Sequence, residues 1–274
     1  MKVFAHRGAS SDFAEHTRAA FAHALALGVD GIETDVQLSA DGHLICWHDA
    51  TLNRTSSGAG PVHAHRLVDL RKLDVHSWKT PGFPGRSQLP SAYTSTEGQL
   101  VTLDELTQMM IDTGHPVELA VEMKFGACRD GAIEAAVLAW LQRWGWNGAT
   151  GTLMPNGRRT GVSVSVMSFS SVALRRVADM VPATRLCPLF DENSVDVTAT
   201  KLIGPSVRWL ADFSALRSWL RTGHTVRMWT IETNDQLRAA RQLGVQQITV
   251  NDPSWALHLD DAAPLSLLHG VSGR

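Results

Sequence analysis

No apolar run in this chain approaches the roughly 18 residues that a membrane-spanning helix needs. An excess of one charge is also missing: Lys and Arg number 25 against 27 Asp and Glu, a formal net charge of -2 at pH 7. That balance argues against a surface built for nucleic acid or anionic lipid, while leaving room for a local basic pocket. Cysteine is scarce. Cys46, Cys128 and Cys187 lie far apart without CxxC spacing, which argues against a disulfide framework or a zinc site. The N-terminus, Met1–Phe4 running straight into His6-Arg7, does not read as a signal peptide, so a reducing cytoplasm is the expected compartment. Internal repeats and low-complexity tracts are absent as well.

What is present is an ordinary globular composition. Of the 274 residues, 44% are hydrophobic and 19% charged, enough for a deep core and too apolar for disorder. Short apolar stretches alternate with longer helical patterns, the signature of a mostly parallel α/β fold. Strands are expected at 2–6, 31–38, 43–47, 117–124, 162–167, 185–189, 225–231 and 247–250. Helices are expected at 15–27, 103–111, 130–144, 172–180, 213–221 and 234–243, with Gly28 and Gly244 as stops. Some eight strands in this length fit a (β/α)8 TIM barrel over residues 1–274 as a single catalytic domain. A doubly wound open sheet competes, but no GxGxxG follows the first strand. From Asp49 to Val101 the chain is rich in Ser, Thr, Gly and Pro, with a weak helical piece near 67–73. It reads as a loop-rich insertion after the third strand, shaping the substrate side of the barrel.

Strand parity is the most informative test, because alternate side chains face opposite ways. Ile32, Val36 and Leu38 oppose Glu33, Asp35 and Gln37; Leu119, Val121 and Met123 oppose Glu118, Ala120, Glu122 and Lys124. Charges inside a barrel are costly unless they bind something. A solvated edge explains one such strand; two in one chain point to a charged site. The Asp41-Gly42 pair is a hairpin signal. A two-residue turn there would pair Ala40 with His43 and Asp35 with His48, bringing His48 to the acidic pair; a longer loop and a parallel third strand would bring it to the same rim.

Glu33, Asp35 and Glu122 are hard oxygen donors, suited to Mg²⁺ or Ca²⁺. Arg7 and Lys124 add cations that match an anionic, phosphate-bearing substrate. His6 and His48 can serve as acid and base near neutral pH. Together they describe metal-assisted phosphoryl transfer.

The run His6-Arg7-Gly8-Ala9-Ser10, then Glu33-Thr34-Asp35-Val36-Gln37, His48-Asp49 and Glu122-Met123-Lys124, resembles the glycerophosphodiester phosphodiesterases. Met228-Trp229-Thr230-Ile231 and Gly244-Val245 with Asn251-Asp252-Pro253 are similar to that family's closing strands, and the motifs keep the family's order from Lys2 to Pro253. The resemblance implies a (β/α)8 barrel that takes a small glycerophosphodiester and releases glycerol 3-phosphate and an alcohol. It implies Glu33, Asp35 and Glu122 as metal ligands, His6 and His48 as general acid and base, Arg7 and Lys124 as phosphate contacts, and Trp229 as a substrate-side wall. Which histidine is the acid, and whether water or the glycerol 2-hydroxyl attacks, stay open, as does the oligomeric state. A lysophospholipid or other phosphodiester, a barrel aldolase or epimerase, and a non-enzymatic binder are the alternatives.

One motif departs from the family. Where Pro-Glu-Asn-Thr is usual, this chain has Ala14-Glu15-His16-Thr17, so His16 falls either at the metal rim or in solvent. Glu118 reads as structural, Asp49 as orienting the loop after His48, Asp252 as a turn cap, and Ser168 and Phe169 as possible pocket lining. Asn53-Arg54-Thr55 fits a glycosylation pattern, which has no meaning without secretion. The apolar tail after Pro253 (Trp255, Leu257, Leu265, Leu267, Leu268) reads as docking on the barrel or on a partner chain.

Overall fold

Eight parallel strands close on themselves. The computed structural model describes residues 1–79, 95–124, 130–193 and 195–258. Its strands are β1 (Lys2–His6), β2 (Gly31–Leu38), β3 (Leu44–Cys46), β4 (Val117–Met123), β5 (Val162–Ser168), β6 (Leu186–Phe190), β7 (Leu202–Pro205), β8 (Thr225–Ile231) and β9 (Gln247–Val250). The barrel runs β1-β9-β8-β7-β6-β5-β4-β2 and closes through β1–β2 pairing, while β3 hangs antiparallel on β2. This is the expected TIM barrel with a different membership. The strand expected at 43–47 is only a hairpin partner outside the barrel, and Leu202–Pro205 completes the circle instead. That strand escapes a reading of sequence because its four residues end in Gly-Pro, a poor strand signal that only the barrel context overrides. The tail residues beyond 258, together with Phe125 and Cys128, lie outside the described residues.

Helices pack around the barrel wherever an amphipathic stretch follows a strand. Helix α1 (Arg18–Ala26) begins three residues later than its periodicity predicts. Thr17 takes an extended conformation and accepts the Ala20 N–H, capping the helix. Residues 14–16 are thereby released as loop. The helix at Leu103–Asp112 starts on a reciprocal Thr102/Glu105 capping box, and the one at Asn234–Gln242 on Thr233/Gln236. The outward faces of β2, β4 and β5 (Ile32, Val36, Leu119, Val121, Val164) meet Phe21, Leu103, Val137 and Trp140 in the largest apolar cluster. In the described part of 49–101, Leu52, Val62, Leu70 and Val75 join Ile45, Trp47 and Leu100 in a small core of their own. The insertion is therefore anchored to the hairpin strand by packing.

The barrel interior is not wholly apolar. Arg227 on β8 is 1% exposed and pairs with Glu118 on β4. It also donates to Ser165 Oγ at 2.9 Å and Gln247 Oε1 at 2.7 Å, and stacks 3.9 Å above the Phe4 ring. Burial alone would raise the Glu118 pKa; Arg227, Ser165 and Arg185 outweigh it and hold the carboxyl below its ordinary value. Removing one partner strands the other charge in the core. Glu118→Ala is expected to cost about 3–5 kcal/mol of stability in denaturant unfolding. Because the folded pKa is depressed, the pair's contribution is full above the unfolded value of about 4.3 and fades as pH falls through the folded one. A midpoint unchanged at neutral pH would show that the pair contributes no net stability.

Candidate active site

Parallel register assembles the acids. His6 pairs with Glu33 across β1–β2, and Glu33 with Ala120 and Asp35 with Glu122 across β2–β4. The carboxylates of Glu33, Asp35 and Glu122 each bring an oxygen within 4.8 Å of the others, and all three residues are buried. Interior parity on neighbouring strands thus becomes one cluster at the C-terminal mouth of the barrel, where such folds carry their chemistry.

Cations press on the same cluster. Lys124 Nζ lies 2.7 Å from Asp35 Oδ1 and 2.6 Å from Glu122 Oε1, and Arg7 Nε lies 3.1 Å from Asp35 Oδ2. Arg7 reaches this position because it and Gly8 both have positive φ, 59° and 83°, folding the chain back after β1. A Cβ on Gly8 would sit 2.7 Å from the Ala20 backbone, so only glycine fits the turn. Burial first, and then repulsion from Asp35, pushes Glu33 well up and Glu122 up to about 8. Asp35 is held well below its ordinary value; Lys124, His16 and Arg7 outweigh its burial.

Two histidines flank the acids. His6 Nδ1 donates to Asn251 Oδ1 at 2.6 Å, leaving Nε2 3.9 Å from Glu33 Oε2. Burial, then the Arg7 charge, lowers the His6 pKa to about 4, so the ring is neutral at pH 7. His48 sits at the end of the hairpin with Nδ1 2.6 Å from Asp49 Oδ1. Its route there differs from the expected pairing. The β2–β3 register is Val36 with Cys46 and Leu38 with Leu44, continued by the Trp47 N–H donating to Asp35 O. Asp35 therefore opposes Trp47, and the connection is the three-residue loop Ala40-Asp41-Gly42, with Gly42 at φ 83°. A one-residue slip exchanges the faces of a strand. His48 joins the site by leaving the strand.

Seven of the eight expected site residues, His6, Arg7, Glu33, His48, Glu122, Lys124 and Trp229, line one cavity of about 310 Å³; Asp35 stands behind them, 1% exposed. The same cavity is also lined by Met167, Phe169 and Leu189, and by Arg227. Trp229 is anchored by its Nε1–H donating to Gly204 O at 2.7 Å and meets Phe169 edge-on at 5.4 Å. Phe169 is 52% exposed at the mouth, whereas Ser168 is buried and bonds Met123 O. His16 does not face solvent. It is buried at φ 60°, and its Nε2 accepts the Asp35 N–H at 3.2 Å beside Asp35 Oδ2 at 3.3 Å.

Sequence reasoning passed over Arg227, Asn251 as the partner of His6, and Arg54 as a partner of Asp49. Parity would have found Arg227, which shares the inward face of β8 with Trp229. Asn251 meets His6 across 245 residues, which no local pattern encodes, while Arg54 stands only five residues from Asp49 but is fixed by its reach to Glu15, 39 residues away. Cys46 and Cys187 are buried and their thiols pushed up to about 12, so neither is a nucleophile.

The cluster fits a divalent cation. Its donors are three carboxylates, and neither oxygen of buried Asp35 makes a well-directed hydrogen bond among the described residues. Oxygens held only by charge contacts suit a hard, oxygen-seeking ion.

Barrel and site together define a TIM-barrel enzyme with a metal-ready acidic centre at its C-terminal mouth. The model of the glycerophosphoryl diester phosphodiesterase family matches residues 6–254. The chain belongs to that family. It is 34% identical over 259 residues to a probable glycerophosphodiester phosphodiesterase 1 of Mycobacterium tuberculosis, covering 92% of this chain and 89% of that one. Over 263 residues it is 27% identical to a glycerophosphodiester phosphodiesterase of Caldanaerobacter subterraneus subsp. tengcongensis, covering 94% and 96%. Among solved structures, a phosphodiesterase of Oleispira antarctica in complex with the product sn-glycerol-3-phosphate superposes with a TM-score of 0.73, at 20% identity, covering 94% and 95% of the two chains. No helix among the described residues is long and apolar enough to cross a membrane.

Proposed function

We propose that this chain, acting as a single catalytic unit, hydrolyses small glycerophosphodiesters to glycerol 3-phosphate and an alcohol. The observation that carries this reading is the cavity wall. Three buried carboxylates, two cations and two histidines, each with its Nδ1 engaged, line or back one space of phosphodiester size. The Oleispira phosphodiesterase, similar in fold, holds sn-glycerol-3-phosphate as product, which agrees with it.

Glu33, Asp35 and Glu122 would hold Mg²⁺ or Ca²⁺. When bound, such an ion supplies Lewis-acid charge to a phosphoryl oxygen. Arg7 and Lys124 bind the phosphate oxygens and stabilise the charge that grows on them. His6, neutral and with Nε2 bare, takes the proton of the attacking group as its oxygen bonds to phosphorus. Where that group is water the product is glycerol 3-phosphate directly; where it is the glycerol 2-hydroxyl, a cyclic phosphate forms that water then opens to glycerol 3-phosphate. His48 gives a proton to the departing alkoxide as the bond from phosphorus to the alcohol breaks. The ionised Asp49 holds the Nδ1 proton of His48, so that Nε2–H is the one to be given. Trp229 and Phe169 form the wall against which the organic part of the ester rests.

The deciding assay is release of glycerol 3-phosphate from glycerophosphocholine, with and without EDTA, and with Mg²⁺ or Ca²⁺ restored. Release that stops with EDTA and resumes with either cation is the expected result. Release indifferent to EDTA would remove the metal from the reading; no release from folded, metal-supplied protein would overturn the substrate class.

A further inference from the structure

Arg54 lies on the loop outside the barrel and does not line the cavity, yet its guanidinium is committed almost entirely to the site. Its Nε and Nη2 donate to Asp49 Oδ2 at 2.7 Å and Oδ1 at 2.9 Å. Its Nη1 and Nη2 donate to Glu15 Oε2 at 3.0 Å and Oε1 at 2.8 Å. Both carboxylates are gripped bidentately, the geometry in which arginine fixes orientation as well as charge. Glu15 in turn accepts from Arg7 Nη1 at 2.9 Å. The two arms differ in what else supports them. Arg7 is also held by Asp35 and through its backbone N–H by Glu33. Asp49 has only His48 and Arg54 as side-chain partners among the described residues. Without Arg54 that carboxylate, 23% exposed, would be free to turn to water, and His48 would lose the acceptor that orders its ring.

We infer that Arg54 is a positioning residue for the general acid: by clamping Asp49 it fixes the tautomer and aim of His48. The inference rests on the reading of His48 as the proton donor above. It gives the loop insertion a specific task. None of the insertion's described residues lines the cavity, but it brings the bracket that connects the His48 side of the cavity to the Glu15–Arg7 side. With four of its N–H vectors on Glu15 and Asp49, Arg54 has little capacity left for substrate, so its effect is indirect.

A proton donor matters only where the leaving group needs a proton, and that separates this role from general support of the fold. We would compare the wild-type enzyme with Arg54→Ala on two esters of glycerol 3-phosphate, one with choline and one with p-nitrophenol. Choline leaves as a poor alkoxide, p-nitrophenol as a stable anion. For Arg54→Ala, kcat on the choline ester is expected to fall roughly tenfold to a hundredfold, and on the nitrophenyl ester by less than about threefold. Guanidinium ion should restore part of the loss on the choline ester alone. Arg54→Lys, which keeps the charge but cannot grip two carboxylates bidentately, should show the same selective loss in smaller measure. If Arg54→Ala melts well below the wild type, the comparison is read from Arg54→Lys. Equal loss on both esters, or no loss on the choline ester, would overturn the role of Arg54. A wild type that cleaves neither ester would overturn the phosphodiesterase reading itself, and the inference with it.

Discussion

His48→Ala is expected to lower kcat on glycerophosphocholine by about 10²–10⁴, the range a positioned proton donor contributes, while the thermal melt stays close to that of the unaltered chain. The two halves of the expectation have separate causes. The His48 side chain is 34% exposed and bonded chiefly to Asp49, itself at the surface of the site. Its loss opens no cavity in the core, unlike loss of its neighbour Trp47, which packs in the hairpin core at 4% exposure. Its place in the cavity wall and the ionised acceptor on Nδ1 are what fit it to donate from Nε2. The measurement is kcat alongside a melt of the same preparation. Turnover near the wild-type value would remove His48 from the reaction, and a collapsed melt would show a structural role instead.

Glu122→Gln is expected to weaken Mg²⁺ or Ca²⁺ binding by at least roughly tenfold, since affinity for hard cations follows the count of charged oxygen ligands. Glutamine keeps nearly the same shape and can still accept from Lys124 Nζ, which lies 2.6 Å from Glu122 Oε1. The lost quantity is therefore one carboxylate charge in a set of three. Calorimetric titration with each cation reads the affinity directly. Partial recovery of glycerol 3-phosphate release at high metal concentration would separate a ligand from a substrate contact. An unchanged titration would break the proposed ligand set.

The sequence already contained the acids of the site. Glu33, Asp35 and Glu122 declare themselves by parity, because which face a residue takes along a strand is a local property with period two. His6-Arg7-Gly8 was legible as a motif, although why glycine follows arginine is answered only by the approach of Ala20. A two-residue turn would pair Asp35 with His48, one residue off the pairing of Asp35 with Trp47 that forms. Asp-Gly marks a turn, but whether two or three residues form it depends on the twist of the flanking strands and on what covers them. His16 was left between the metal rim and solvent, and its contact with Asp35 at the rim follows from Thr17, and not Glu15, opening the first helix.

Local chemistry in the sequence by itself determined that this chain alternates strand and helix, that two of its strands carry buried acids inward, and that histidines and cations stand at strand ends beside them. Tertiary structure alone decided which strands close the barrel. It chose Leu202–Pro205 over the hairpin strand, because an eight-strand circle needs a partner between β6 and β8. Closure also set Arg227 against Glu118, 109 residues away, Asn251 against His6, 245 residues away, and Arg54 against Glu15, 39 residues away. Each of these is a pairing of polar groups, at long range in sequence, that must be satisfied once water is excluded. No pattern within a strand or helix encodes such a pairing, and it exists only when the chain has come round to meet itself.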